Sequence, residues 1–337
     1  MHKHLIALGM TLLSISLFSQ ESAPKPLVPP EKIEQQLQEA EKEFEEAKKM
    51  FNPWYTGPLL TPSATVLPPP HVVIQPYFFY VNNYAHFDKH GKSHNVPSLD
   101  VIKPALAPLQ VGITKWMDAT LSISGIHNHQ HGHSYMNWGD TSVSLGFGLM
   151  RERAYRPAMK FVVQETFPTG HYQKFSARKA NVESTGAGSY QTNFSLNISK
   201  VVWWLTLHPM SFRTSLNYTV NSNVSVRGFN SYGGGKGTHG SVKGGNTFAF
   251  DFGYEYSFSQ RWVAALDIVY NYSSKTTFSG HTVAPVGGPF SDQLSFAPAL
   301  EYNFNGNSGI LAGIWFTAWG RNSSNFFSEI VSFYYLF

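Results

Sequence analysis

Residues 325–337 close the chain as NFFSEIVSFYYLF. Every second residue, Val331, Phe333, Tyr335 and Phe337, is apolar or aromatic, whereas Ile330, Ser332, Tyr334 and Leu336 between them are mixed. A period of two puts alternate side chains on opposite faces of a β-strand, so this strand has one strongly apolar face. Chain ends fray unless they are tied down. A terminal strand of this character needs a partner along both edges. A sheet closed on itself provides one by pairing its last strand with its first.

The same alternation recurs upstream. In 247–258 (TFAFDFGYEYSF), Phe248, Phe250, Phe252, Tyr254, Tyr256 and Phe258 share one face; Ala249, Asp251, Gly253, Glu255 and Ser257 share the other. Trp262, Ala264, Leu266, Ile268, Tyr270 and Tyr272 repeat the pattern, as do Leu294, Phe296, Leu300, Tyr302 and Phe304, and Val143, Leu145, Phe147 and Leu149. Turn signals and period-two runs predict about twelve strands, at 71–82, 99–112, 118–127, 140–150, 157–168, 189–200, 210–222, 246–258, 262–273, 293–304, 309–319 and 325–337. Connections after odd strands are long (83–98, 128–139, 169–188, 223–245, 274–292) and those after even strands short, with 320–324 the exception. Long loops on one side and short turns on the other are the rule of transmembrane β-barrels. Aromatic residues gather near strand ends, as in membrane girdles. The expected fold is therefore all-β: a transmembrane antiparallel barrel of about twelve strands over 71–337, with its apolar face outward. The polar face then lines the lumen and carries Lys160, Arg213, Asp251, Glu255, Asp267 and Glu301. A basic residue turned to lipid at the midplane would instead cost roughly 2–4 kcal/mol. Pro104 and Pro108 are awkward inside a paired strand. Glu165 interrupts the apolar face Met159, Phe161, Val163, which predicts a bulge or register shift there.

Composition agrees. Charged residues are 14% and aromatic residues 15% of the chain, too few charges for a disordered protein and more aromatics than most enzymes carry. Cysteine is absent, which excludes disulfides, thiolate metal sites and cysteine nucleophiles. The net charge is +4 with basic residues scattered, so no nucleic-acid footprint is present.

Residues 1–22 read as a secretory signal: a basic start at His2, Lys3 and His4, an apolar run from Leu5 to Phe18 too short to span a membrane, and cleavage expected between Ser19 and Ala23. Residues 23–30 form a Pro-rich linker. Residues 31–51 are rich in helix formers, and Ile33, Leu37, Ala40, Phe44, Ala47 and Phe51 recur at four-three spacing, a coiled-coil seam. The helix would span roughly 30 Å. Its functional reading is a periplasmic helix that joins copies of the chain; its plain reading is a single amphipathic helix. Residues 52–70 are Pro- and aromatic-rich without period and read as a plug or belt, with Trp54 and Tyr55 candidates for the membrane interface. The even strand count puts both termini in the periplasm of an outer membrane.

Residues 126–133 (IHNHQHGH) place His127, His129, His131 and His133 at alternate positions, roughly 6–7 Å apart on one side of an extended segment. Neighbouring imidazoles there can share Zn²⁺, Ni²⁺ or Cu²⁺, or sense acid near pH 6.5. A polar loop with adventitious metal affinity is the plainer reading, and no other cofactor is implied. Tyr232 to Val242 is Gly-rich but lacks the ending of a phosphate loop. A barrel lipase needs Ser and His on an outward face with a third residue to orient them. No His falls within a well-defined outward strand face, so the chain does not read as an enzyme.

Two resemblances add to this. The alternate apolar residues ending on Phe337 resemble the C-terminal signal by which Gram-negative outer-membrane barrels engage the barrel-assembly machinery. Phe167-Pro168-Thr169-Gly170, with Gly146-x-Gly148-Leu149 and Arg151 upstream, resembles the outer-membrane protein family linked to the meta-cleavage pathway of phenol degradation. That likeness runs from about residue 140 to the end. It implies a channel for small molecules, hydrophobic or aromatic ones among them, and carries no catalytic residues. The expected function is passive passage of such a solute. The alternatives are a surface receptor or adhesin that uses the barrel as a loop scaffold, and divalent-metal capture by the His-rich loop.

Overall fold

The computed structural model describes residues 29–50, 54–179, 182–202 and 208–337, so the expected signal segment lies outside the described residues. Twelve strands form the barrel: β1 (Val72–Phe87), β2 (Ser93–Thr114), β3 (Met117–Gln130), β4 (Thr141–Met150), β5 (Ala158–Phe167), β6 (Gln191–Val202), β7 (Met210–Asn221), β8 (Thr247–Ser257), β9 (Trp262–Ser273), β10 (Ser291–Asn305), β11 (Ser308–Arg321) and β12 (Ser324–Leu336). Each pairs antiparallel with its neighbours in sequence, and β12 pairs with β1 (Tyr77↔Ser332, Phe78↔Val331), which closes the sheet. His71 Nδ1 lies 3.0 Å from the Phe337 carbonyl, and the Phe337 N–H donates to Val72 O at 2.8 Å, so the last residue is tied down.

The two faces of each strand meet opposite surroundings. On β12, Val331 and Phe333 are 44% and 41% exposed, whereas Ile330 and Ser332 are 1% exposed. Glu255 and Ser257 on β8, Asp267 on β9 and Glu301 on β10 are fully buried inside, while Phe248, Trp262 and Leu300 face out. The barrel is thus apolar outside and polar within, as a lipid surround requires.

Three sequence expectations change. The connections at 83–98 and 128–139 are mostly strand: β1 and β2 continue to the turn at 88–92, and β3 continues to a tight turn at His131 (φ 50°) and Gly132 (φ 74°). Two successive left-handed residues suit a two-residue hairpin turn. Beyond it, His133–Trp138 pairs with the upper part of β3 and leads through Gly139 into β4. These ribbons show no clean apolar alternation because polar and apolar residues are mixed along them, with Ala85 and Phe87 buried and Val96, Met136 and Trp138 exposed. Glu165 causes no bulge. Its ladder to β6 is unbroken, it points outward beside the loop-end rim, and its Oε2 accepts the Thr192 hydroxyl at 2.7 Å. A carboxylate near the interface costs little. Pro104 and Pro108 do sit in β2. Pro104 is opposite Phe78, and the ladder absorbs the second proline by a register shift between Leu106 and Leu109.

The barrel ends differ. At the turn end, short connections join even strands to odd ones, and α1 (Pro30–Met50) lies there, with Glu41 Oε2 accepting the Ala154 N–H at 3.3 Å. Its seam residues Ile33 and Leu37 are 46% and 56% exposed. At the loop end, the described parts of the connections between β5 and β6 (168–179 and 182–190), β7 and β8 (222–246) and β9 and β10 (274–290) pack into a cap. Asn223–Arg227, His239–Lys243 and Thr277–His281 form a three-stranded sheet in it, with Val224, Val226 and Val242 as its core. The β11–β12 connection, residues 322–323, stays short, and Asn322 Nδ2 donates to the Phe290 carbonyl of the neighbouring connection at 2.9 Å.

Candidate functional site

The polar inner face of the barrel meets residues 54–70, which lack apolar periodicity and cannot join the sheet. Proline removes donors and leaves an extended chain whose remaining N–H groups need acceptors. The lumen wall supplies them. The Thr56 N–H donates to Glu301 Oε2 at 2.9 Å, and Thr56 Oγ1 to Asn303 Oδ1 at 2.8 Å. Asp267 accepts the Leu60 N–H (3.2 Å), the Thr61 N–H (2.9 Å) and the Thr61 hydroxyl (2.6 Å). The Leu67 N–H donates to Asp118 Oδ2 at 3.0 Å, and Lys160 Nζ to the Thr65 carbonyl at 3.2 Å. Leu59 adds an apolar anchor, buried among Ala265, Ala297, Ala299, Leu311 and Ile330. The wall makes room with glycines. A Cβ on Gly112 would lie 2.5 Å from the Pro68 carbonyl carbon, and one on Gly253 would lie 2.6 Å from Pro58 Cγ.

Both ends of this segment are at the turn end. The Trp54 N–H donates to Gln260 O at 3.3 Å, and the Gly112 N–H donates to His71 O at 3.0 Å. Residues 54–70 therefore rise into the lumen and return. Tyr55, expected as an interface residue, lies inside against Ser257, Glu255 and Glu301.

All six luminal residues expected from sequence point inward. They are engaged rather than bare. Lys160 pairs with Asp118 at 3.4 Å, and Arg213 Nε lies 3.1 Å from Glu255 Oε2. The Glu301 carboxyl adjoins that of Glu255. Asp251 Oδ2 accepts from Asn217 Nδ2 at 3.0 Å. Asp118 is a luminal residue that the sequence reading did not single out. The alternation Asp118, Thr120, Ser122, Ser124 on β3 carries the signal for it.

Beside the segment a cavity of ≈ 840 Å³ remains. Its far wall, on β5 to β7, is hydrogen-bonding, with Gln164, Asn193, Ser195, Asn197, Ser211 and Asn217 set between the ion-paired Lys160 and Arg213. A second cavity of ≈ 530 Å³ opens at the loop end, between β1 and β8 to β12, over Trp315 and Phe326. It includes Asn322 and Ser323 of the shortest loop-end connection.

The histidine run is divided by the hairpin. His127 and His129 face outward from β3, His131 is in the turn, and His133 is opposite Gln130 on the other face. Among the described residues no three His, Asp or Glu side chains are grouped to hold a metal ion. Two histidines do therefore lie on an outward strand face, contrary to the sequence reading. His129 Nδ1 is 2.8 Å from Ser134 Oγ. Asp100, opposite His129 in register, instead accepts from Asn82 and Tyr80.

No protein-family model matches the chain, and no curated protein does. Solved structures do. The COG4313 outer membrane channel from Pseudomonas putida F1 aligns over 82% of this chain and 98% of its own, with a TM-score of 0.63 and 11% identity. The transport unit of the autotransporter AIDA-I from Escherichia coli aligns over 88% of this chain and 98% of its own, with a TM-score of 0.44 and 11% identity. The Pseudomonas putida toluene transporter TodX aligns over 79% of this chain and 90% of its own, with a TM-score of 0.37 and 12% identity. At such identity the first likeness speaks to fold, and none touches the link to phenol degradation. Closed topology, an apolar exterior and the whole-length match to a solved outer-membrane barrel together give the conclusion: the chain folds as a twelve-stranded transmembrane β-barrel of the outer-membrane type.

Proposed function

We propose that the protein is an outer-membrane channel for small molecules, hydrophobic or aromatic ones among them, and that residues 54–70 are its plug. The turn end and both termini then lie in the periplasm, and the cap and ribbons lie outside the cell. One observation carries the reading: a cavity of ≈ 840 Å³ beside a segment held by hydrogen bonds to the wall rather than by a strand of the sheet. A volume of this size accommodates a small solute. The segment can leave the lumen with the barrel intact. The structurally similar Pseudomonas barrel carries the name of a channel, which agrees with this function.

A second reading rests on the cap, whose buried valine core makes the loops a fixed surface suited to a receptor or adhesin. Single-channel recording from the refolded protein in a planar bilayer separates the two. Brief openings in the full chain, and steady current after deletion of residues 54–70, support the channel. A folded barrel that stays silent in both forms favours the scaffold.

A further inference from the structure

The main cavity is lined by five charged residues, Lys103, Asp118, Glu152, Lys160 and Arg213. Four of them have partners. Lys160 pairs with Asp118, Arg213 with Glu255, and Glu152 with Lys200 at 3.1 Å. Lys103 has neither an ion pair nor a hydrogen bond among the described residues. It is on the inner face of β2, opposite Phe79 of β1, and it lines the cavity. Around it the wall is apolar. Tyr77 and Phe79 stack at 5.5 Å between ring centroids, and Ala105 and Pro108 flank them.

A lone ammonium in such a place is costly unless something answers its charge. The luminal carboxylates that could do so are committed. Asp118 is held by Lys160, Gln110 and the Leu67 N–H, Asp267 by Leu60 and Thr61, and Asp251 by Asn217. Glu301 holds Thr56. We propose that Lys103 is the recognition point for the solute, and that the solute is a small organic anion: a monocarboxylate with an aromatic or aliphatic body. The ammonium takes the carboxylate, the Tyr77–Phe79 wall takes the body, and the neutral amides and hydroxyls across the cavity let it move on. This deepens the channel reading and rests on it.

The test compares benzoate with benzamide, which has the same shape and no charge. The concentration of each that halves the current is measured for the wild type, Lys103→Gln and Lys103→Arg, after the heat-modifiable gel shift has shown that each variant is folded. A charge-assisted contact sets the scale at about tenfold or more. Benzoate should block the wild type at about one-tenth of the benzamide concentration. Lys103→Gln should make the two equal, and Lys103→Arg should keep the preference. A wild type without preference, or a preference that survives Lys103→Gln, overturns the inference while leaving a channel in place. Should the wild type carry no current, the channel reading fails by itself. Calorimetric titration of the detergent-solubilised protein then decides: benzoate binding lost in Lys103→Gln supports the site, and absence of benzoate binding overturns it.

Discussion

Asp267 anchors residues 54–70, the proposed plug, and its removal has the best-defined consequence. Its buried carboxylate accepts three hydrogen bonds from Leu60 and Thr61. Hydrogen bonds to a charged group contribute about 1.5–3 kcal/mol each, and a buried N–H left without an acceptor costs about 1–3 kcal/mol. These figures overlap, because both describe the same lost contacts. Asp267→Ala should weaken docking of the plug by about 3–5 kcal/mol, with water recovering the rest. The docked-to-undocked ratio then falls by about two to three and a half orders of magnitude. Asp267→Asn is milder. One amide oxygen still serves Thr61, while the amide nitrogen meets the Leu60 N–H donor to donor, a loss of about 1–2 kcal/mol. Open probability in single-channel records should rise in the order wild type, Asp267→Asn, Asp267→Ala. An Asp267→Ala barrel that is heat-modifiable and yet as closed as the wild type would refute the reasoning.

Four further outcomes are expected. A Cβ on Gly253 would lie 3.0 Å from the Thr61 Cβ, so Thr61→Cys with Gly253→Cys needs only a small retreat to reach disulfide spacing, in a chain with no other thiol; oxidation should silence the channel and dithiothreitol restore it, and unchanged current on oxidation would count against a mobile plug. Lys160→Met strands the buried Asp118 carboxylate and should lower stability by about 3–5 kcal/mol, read as an earlier heat-modifiable transition, with Lys160→Met/Asp118→Asn recovering much of it. The exposed seam of α1 is expected to join copies of the chain, so amine cross-linking in detergent should give oligomers that Ile33→Ser/Leu37→Ser abolishes; equal cross-linking in the variant would reject the seam. In the β1–β2 turn, His94 and the Lys92 and His90 N–H groups hold the Asp88 carboxyl well below its usual range; the order this lends the turn is complete above about pH 4 and fades as pH falls through the depressed value, so amide exchange at Lys92 should be slow at neutral pH and markedly faster in Asp88→Asn.

How much of this was legible in the sequence depends on what each segment touches. Strands wholly within the membrane announce themselves, because lipid on one side and water on the other impose strict alternation; β8, β9 and β10 were readable residue by residue. The ribbons of β1–β2 and β3–β4 were hidden, since a strand along which polar and apolar residues are mixed carries no clean apolar period. Glu165 misled for a related reason. Alternation says which face a residue occupies but not its height, and a carboxylate at the rim is tolerated where one at the midplane is not. Residues 54–70 gave no period because their bonds run to scattered carboxylates on β3, β9 and β10, contacts that no local spacing encodes. The inward direction of Asp267 and Glu301 was plain, yet their service to the plug was not. Lys103 was missed because Pro104 and Pro108, which follow it, blurred the strand.

The rise and return of residues 54–70 has a mechanical consequence. A pull on α1 reaches the leg that begins at Trp54, whereas the leg that ends at His71 is stitched to Gly112 of β2 and to the carbonyl of Phe337. Load therefore falls on one attachment at a time: first Trp54 on Gln260, next Thr56 on Glu301, then Leu60 and Thr61 on Asp267. The segment peels like tape instead of shearing like a bolt. Peeling needs far less force than breaking the same bonds together, and it leaves the Asp118 attachment near the hinge to guide the strip back.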